Sequence, residues 1–450
     1  MRANGRGPIV LALCALAMPV LFRTTPALAA SPVTVDWSRQ FGTASQDFTQ
    51  GIARDAGGNL HLGGITRGSL FVTNPGVTSF DDAFVVKYDA AGAPVWTNQF
   101  GTTGNDAVFN VAADAAGNTY AVGASTGSLF ATNLGQDDVI LRKYDPTGNV
   151  AWSQQFGTIR SDNARGASFD ASGNVYVAGT FGVSIGINDA FVAKYSPTGA
   201  QLWLRQFGTT TDDTASTVKV DAAGNVIVAG STSGAMGTPA GGYDAFVRKY
   251  DSNGNVLWTK QVGSSRAESV QGVAVDAGGN IFAVGRTQGI INGTTPGAFD
   301  DSQAFLFKLD SAGNFGWVQQ LDATDEDNAN DVSVDAAGNA YLAGHGLTGS
   351  NERFLIASYG PSGALRWSEL LDTPFLVDEF SGIVVDPDGS RAWLSGITSG
   401  NFGTGVNPGP GNEDALLVAM NVPEPSSALA LTAVVLLLTA RRRYHRAARC

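Results

Sequence analysis

Short runs of alternating apolar and polar residues, closed by clusters of Gly, Asn, Asp or Ser, follow one another along almost the whole chain. A period of two predicts half-buried β-strands, and the intervening residues predict tight turns. In one stretch the runs 270–275, 281–284, 304–309 and 315–321 give four strands with polar turns between them. Three markers show that this unit recurs. Tryptophan returns at Trp37, Trp96, Trp152, Trp203, Trp258, Trp317 and Trp367, every 50 to 59 residues. Near-copies of Asp-x-x-Gly-Asn begin at Asp55, Asp114, Asp170, Asp221, Asp276, Asp335 and Asp386, the last ending in Ser390. The run Asp-Ala-Phe-Val-x-Lys-Tyr starts at Asp82, Asp189 and Asp244, with looser copies after Asp138, Gln303, Arg353 and Asp414. Such a period, with hairpin chemistry inside it, predicts the blades of a β-propeller.

The two ends of this repeat array predict how it closes. A tryptophan strand at 35–41 has no partner before it, and the strand at 415–420 has no fourth strand after it. Pairing one with the other completes a seventh blade and removes two exposed edges. The expected fold is therefore all-β: a seven-bladed propeller of four-stranded blades, closed by the N-terminal strand against the last blade. The repeats resemble the SBBP-type β-propeller repeat across nearly the whole of 30–421.

Composition agrees with many short strands: 57 glycines and only 15% charged residues. The formal charge of −12 understates the acidity of the repeat region. Of 28 basic residues, three lie in the first 30 positions and five after Ala440, leaving 20 against 39 acids between Ser31 and Val422. Such a body repels nucleic acid and anionic lipid, so no nucleic-acid partner is expected. Cys14 and Cys450 both fall in the end segments, so the repeats need no disulfide.

Those end segments predict export. Arg2 and Arg6, an apolar run from Pro8 to Phe22, and Ala27-Leu28-Ala29 form a charged, apolar, small-residue series, which reads as a secretory signal over 1–29. The other end carries Pro423-Glu424-Pro425, an apolar stretch from Ala428 to Ala440, and Arg441-Arg442-Arg443. Segment 422–450 resembles the PEP-CTERM sorting signal of Gram-negative bacteria. The resemblance implies an exosortase-type enzyme as processing partner, transient anchoring by the tail alone, and a place in the cell envelope or outside the cell, in an exopolysaccharide setting.

Almost all length variation falls between the second and third strands: Gly64 to Lys87 spans 23 residues, and Gly179 to Lys194 only 15. Strand alternation puts these loops at the same end of each blade as the connectors to the next blade. Every connector carries an acid: Asp47, Asp106, Asp162, Asp213, Glu268, Asp327 and Asp378. One face should thus join variable loops to a ring of carboxylates, each of which either caps its own turn or serves a ligand or cation. No His-Glu-x-x-His pair, phosphate loop or Gly-x-Ser-x-Gly elbow occurs, and the three histidines, His61, His345 and His445, are far apart. His61 falls within a second strand and His345 just after one. The leading expectation is a non-enzymatic binding or structural module without a cofactor. Its alternatives are a carbohydrate-active lyase or hydrolase using two of the carboxylates, and a scaffold stabilised by calcium.

Overall fold

A computed structural model describes residues 33–71, 80–291, 302–371, 377–402 and 413–422. The signal segment 1–29, the motif Pro423, Glu424, Pro425 and the arginines Arg441, Arg442 and Arg443 lie outside these residues. Among the described residues every regular element is a strand, and no helix is long and apolar enough to cross a membrane.

The described residues form twenty-eight strands in seven antiparallel four-stranded sheets. Six sheets use four consecutive strands each, over 47–100, 106–156, 163–207, 213–262, 268–321 and 326–371. The seventh joins Asp378–Val385, Arg391–Thr398 and Asp414–Asn421 to the first strand of the chain, Thr34–Phe41, as its outer edge. The expected closure is therefore present, with Thr34 opposite Asn421 and Phe41 opposite Ala415. The innermost strands touch in sequence around the axis, and the last, Asp378–Val385, touches the first, Asp47–Arg54. The molecule is a seven-bladed β-propeller.

The core lies between blades rather than within them. Tyr120, Val122, Val139 and Leu141 of the second blade, for example, pack on Val175, Val177, Phe191 and Tyr195 of the third. Each fully buried side chain of this size contributes about 1.5–3 kcal/mol, so neighbouring blades stabilise one another and no blade is self-sufficient.

The recurring motifs make the turn face. In Asp55–Asn59 the Asp55 carboxylate accepts from the Asn59 amide N–H and Nδ2, while Gly58 N–H donates to the Asp55 carbonyl. Gly58 has φ +85°, which a side chain would strain. The tryptophans lock one blade to the next. The Trp152 indole lies against Gly199 of the following blade and donates to the Pro197 carbonyl at 2.9 Å. Trp96, Trp203, Trp258 and Trp317 repeat this bond on Pro146, Ser252, Ser311 and Pro361. Buried lysines add ion pairs beneath: Lys249 to Asp221 at 2.9 Å and Lys87 to Asp55 at 3.2 Å.

His61 belongs to this same network. It is fully buried, with Nδ1 2.6 Å from Thr119 Oγ1 and Nε2 3.2 Å from Asp55 Oδ2. Tyrosines fill the corresponding place in three other blades, where the hydroxyls of Tyr120, Tyr176 and Tyr341 donate to Asp114, Asp170 and Asp335. Burial pulls the His61 pKa down to about 4, against the pull of Asp55 in the other direction. An unfolded chain binds this proton near pH 6.5, whereas the folded one refuses it until about pH 4. Its contribution is thus complete above pH 6.5 and is lost as the pH falls towards 4. Thermal melting of wild type and His61→Tyr across pH 7 to 4 should show a smaller acid-induced fall in the variant. Parallel curves would contradict this.

Candidate functional site: the loop-rich face and the channel mouth

The seven connector acids sit where the repeats placed them, at the entry to the innermost strands on the loop-rich face, and they are buried. Asp47 accepts from the Thr43 backbone N–H (2.6 Å) and hydroxyl (2.9 Å), and Asp106 does the same with Thr102 (2.5 and 2.9 Å). Asp162 and Asp213 hold Thr158 and Thr209 in the same manner. Glu268 reaches Ser264 N–H and Oγ, Asp327 accepts from Ala323 and Thr324, and Asp378 accepts from Thr398 Oγ1 at 2.7 Å. In the first six these contacts fix the connectors, which is the work of a turn-capping carboxylate, while the bond to Asp378 comes from the end of the neighbouring strand Arg391–Thr398. Burial pushes the pKa of Asp47, Asp106, Asp162 and Asp327 upward, against these hydrogen bonds.

A second set of acids, at the start of the third strands, was not singled out by sequence reasoning as a site. Gln99, Gln155 and Gln261 on the fourth strands donate to Asp82, Asp138 and Asp244 at 2.7–3.1 Å. At the blade junctions the two sets come together. A Cβ on Gly42 would meet both Asp414 and Asp47, and one on Gly101 both Asp82 and Asp106. Asp414 is fully buried, with Oδ1 lacking a hydrogen-bond partner. Burial pushes its pKa up to about 6; Asp47 adds to this, and the bond from Gln40 opposes it. An acid with a raised folded pKa stabilises below its unfolded value, near 3.8, and loses that contribution as the pH climbs through 6. Asp414→Asn keeps an acceptor for Gln40 and removes the charge. It should stabilise the protein by about 1–2 kcal/mol at pH 8 and change little at pH 4, measured by denaturant melts at the two pH values. Among the described residues no group of three or more His, Cys, Asp or Glu is arranged to hold a metal ion.

The innermost strands carry a feature the repeats did not reveal. In every one the pairing register skips a residue, a β-bulge three positions after the connector acid. Gln50, Phe109, Arg165, Ser216, Gln271, Asn330 and Ser381 are the skipped residues, and all seven line a space of about 230 Å³ on the propeller axis. A bulge re-aims a side chain and sharpens strand twist, so the same device at one height in each blade furnishes the channel with seven side chains. The local signal is a polar residue or glycine following at the next position, as in Gln50-Gly51, Arg165-Gly166 and Gln271-Gly272.

Meeting the channel at Arg165, Ser216 and Gln271, a larger cavity of about 500 Å³ lies between the third and fifth blades on the loop-rich face. Its walls are hydroxyls and amides, including Asn163, Asn188, Ser216, Gln271 and Gln288, with Tyr243, Arg165, Arg286 and Glu268. Glu268 is occupied by Ser264 and by Thr287 Oγ1 at 2.8 Å. Asp212 holds two of the walls: Asn188 Nδ2 donates to it at 2.6 Å and the Tyr243 hydroxyl at 3.3 Å. His345 lies elsewhere, inside the strand Ala340–Thr348 rather than after it, because that hairpin runs on to a tight turn at Gly349. Its Nδ1 is 3.4 Å from Glu379 Oε1, and that carboxylate raises its pKa against the effect of burial.

No protein-family model matches the chain. It is 29% identical over 167 residues to the regulatory protein FlaEY of Caulobacter vibrioides, a match covering 32% of this chain and 17% of that protein. An uncharacterized WD repeat-containing protein of Acanthamoeba polyphaga mimivirus is 21% identical over 422 residues, covering 68% of this chain and 30% of its own length. The chain thus spans less than a third of either curated relative. Among solved structures it is similar to the crystal structure of Sqt1 from Chaetomium thermophilum, at 12% identity and a TM-score of 0.49, over 87% of this chain and 99% of that one. The propeller assignment rests on the strand pairing itself, and the chain is a seven-bladed β-propeller with similarity to a WD repeat-containing protein.

Proposed function

We propose that this chain is an exported, non-enzymatic propeller of the cell envelope or extracellular space that holds an exopolysaccharide on its loop-rich face. The carrying observation is the cavity of about 500 Å³ lined by hydroxyls and amides on that face. A saccharide presents many hydroxyls and needs that kind of donor and acceptor surface. On the opposite face a cavity of about 420 Å³ lies between two neighbouring turns, but its polar side chains are engaged with one another: Lys249 pairs with Asp221, and the Trp258 indole donates to Ser311. A holding role rather than a hydrolytic one is supported by the connector acids, which are buried and engaged with their own turns, unlike a pair of carboxylates flanking a scissile bond.

Export is supported by the signal-like segment 1–29, and processing by the Pro423-Glu424-Pro425 motif with its apolar stretch and Arg441–Arg443, which resembles the PEP-CTERM signal. In this reading an exosortase-type enzyme removes the tail. The intact mass of protein recovered from the producing cells should lack both 1–29 and the tail. Purified mature protein should be retained on immobilised exopolysaccharide from those cells. A mass that includes the signal segment sinks the export reading, and absence of retention on every polysaccharide fraction sinks the binding one.

A further inference from the structure

Several basic residues of this acidic body are paired with carboxylates. Arg54 pairs with Asp386, Arg67 with Asp81, Arg391 with Asp36, and the buried lysines with turn aspartates. Arg165 and Arg286 are set apart by lining one cavity together. Both are exposed to solvent, both line the cavity between the third and fifth blades, and neither has a carboxylate at ion-pair distance among the described residues. They come from different blades, Arg165 from the bulge of Asn163–Phe169 and Arg286 from the strand Ile281–Thr287. The Arg165 guanidinium lies over the Phe109 ring, 5.1 Å from its centroid, which holds the charge in place without neutralising it.

Two uncompensated guanidiniums in one cavity are unfavourable to each other unless something negative sits between them. The acids near them are already engaged: Glu268 on Ser264 and Thr287, Asp212 on Asn188 and Tyr243, and, in the axial channel that Arg165 also lines, Glu379 on Asn330 and His345 and Asp331 on the Ile383 N–H. Tyr243 is 43% exposed at the same cavity and offers an aromatic face to the C–H side of a sugar ring. Gln271 and Gln288 supply amides for hydroxyls.

Resting on the binding function proposed above, we infer that this cavity takes an anionic sugar residue, a uronate, whose carboxylate lies between Arg165 and Arg286 while its ring stacks on Tyr243. The planar forks of the two arginines match a carboxylate in paired hydrogen bonds. The surrounding acidity excludes anions that do not reach the arginines, so selectivity is local.

The test is calorimetric titration of the full mature chain with oligogalacturonate, oligomannuronate and oligoglucuronate at low salt. The methyl ester of each, which keeps the backbone and removes the charge, and neutral oligosaccharides of the same length are titrated alongside. At least one free acid should bind ten times more tightly than its ester. Arg165→Gln and Arg286→Gln should each weaken it about tenfold and remove the preference, with melting temperatures unchanged. Tyr243→Ala should weaken acid and ester alike. Equal affinity for acid and ester, indifference to both arginine substitutions, or no binding of any uronate overturns the inference. Binding of neutral oligosaccharides in that event leaves the polysaccharide-binding function standing, whereas silence from every saccharide removes both.

Discussion

A chain lacking residues 31–41 is expected to lose its sharp melting transition and to run as an aggregate or an unfolded species on gel filtration. The deleted strand forms the outer edge of the seventh blade, paired along its length with Asp414–Asn421. It also reaches into the first blade. Phe41 packs on Phe71, Phe84 and Tyr88 at centroid distances of 6.0–6.2 Å, and Trp37 lies on Gly92. Removing it uncovers Leu417 and its neighbours, opens the ladder of Asp414–Asn421, and breaks the lock between the last blade and the first. The two half-buried aromatic side chains alone are worth several kcal/mol, somewhat below the ~3–5 kcal/mol of a fully buried truncation each, a large part of the stability of an ordinary domain. A circular permutant separates lost contacts from a lost covalent order. Because Thr34 faces Asn421, a short linker from residue 422 to residue 33, with new ends between Phe41 and Thr43, makes the same strand part of one continuous hairpin. The permutant should fold as a monomer and melt near wild type. A deleted chain that melts like wild type would show that the ring does not depend on this closure.

Gly123→Ala should cost about 3 kcal/mol. The bulge in each innermost strand swings a backbone carbonyl over the second strand, directly above the glycine nine residues after the turn aspartate, or ten in the last blade. A Cβ at Gly123 would lie 1.9 Å from the Ala107 oxygen and 2.8 Å from its carbonyl carbon. Backbone cannot step aside as a side chain does, and the same approach, 1.8–2.2 Å, recurs at Gly64, Gly179, Gly230, Gly285, Gly344 and Gly396. Gly186→Ala provides the contrast. That glycine has φ +73° but nothing within 4 Å, so alanine there bears only the left-handed strain of about 1–2 kcal/mol. Thermal melts should rank wild type, Gly186→Ala and Gly123→Ala in falling order, with Gly123→Ala about 4 °C below wild type for a chain of this size. Equal stability of Gly123→Ala and wild type would mean that the bulge does not press on the second strand.

These two predictions mark what was legible in the sequence and what was not. Blade number, strand identity and ring closure followed from spacing, because Trp96 or Asp55 occupies the same place in every unit and strand order depends on that count alone. The bulge and the close approach to the glycine beneath it were not legible, since a bulge leaves no change in repeat length when all seven blades contain it. The acid ring was also visible. Its burial against Thr43, Thr102 and Ser264 depended on connector geometry, which composition does not determine. Arg165 and Arg286 were least legible, because they belong to different blades and have no repeat to call attention to them. Only the folded ring brings residues 121 positions apart in sequence into one cavity.

The central claim is that the loop-rich face is the working face and the turn face is structural. Hydroxyl-radical footprinting of the mature protein, with and without exopolysaccharide from the producing cells, tests it most directly. Oxidation of Tyr243 should fall when polysaccharide is present, while Trp96 and Trp152 on the opposite face keep their rates. Protection of those tryptophans with Tyr243 unchanged would contradict the account.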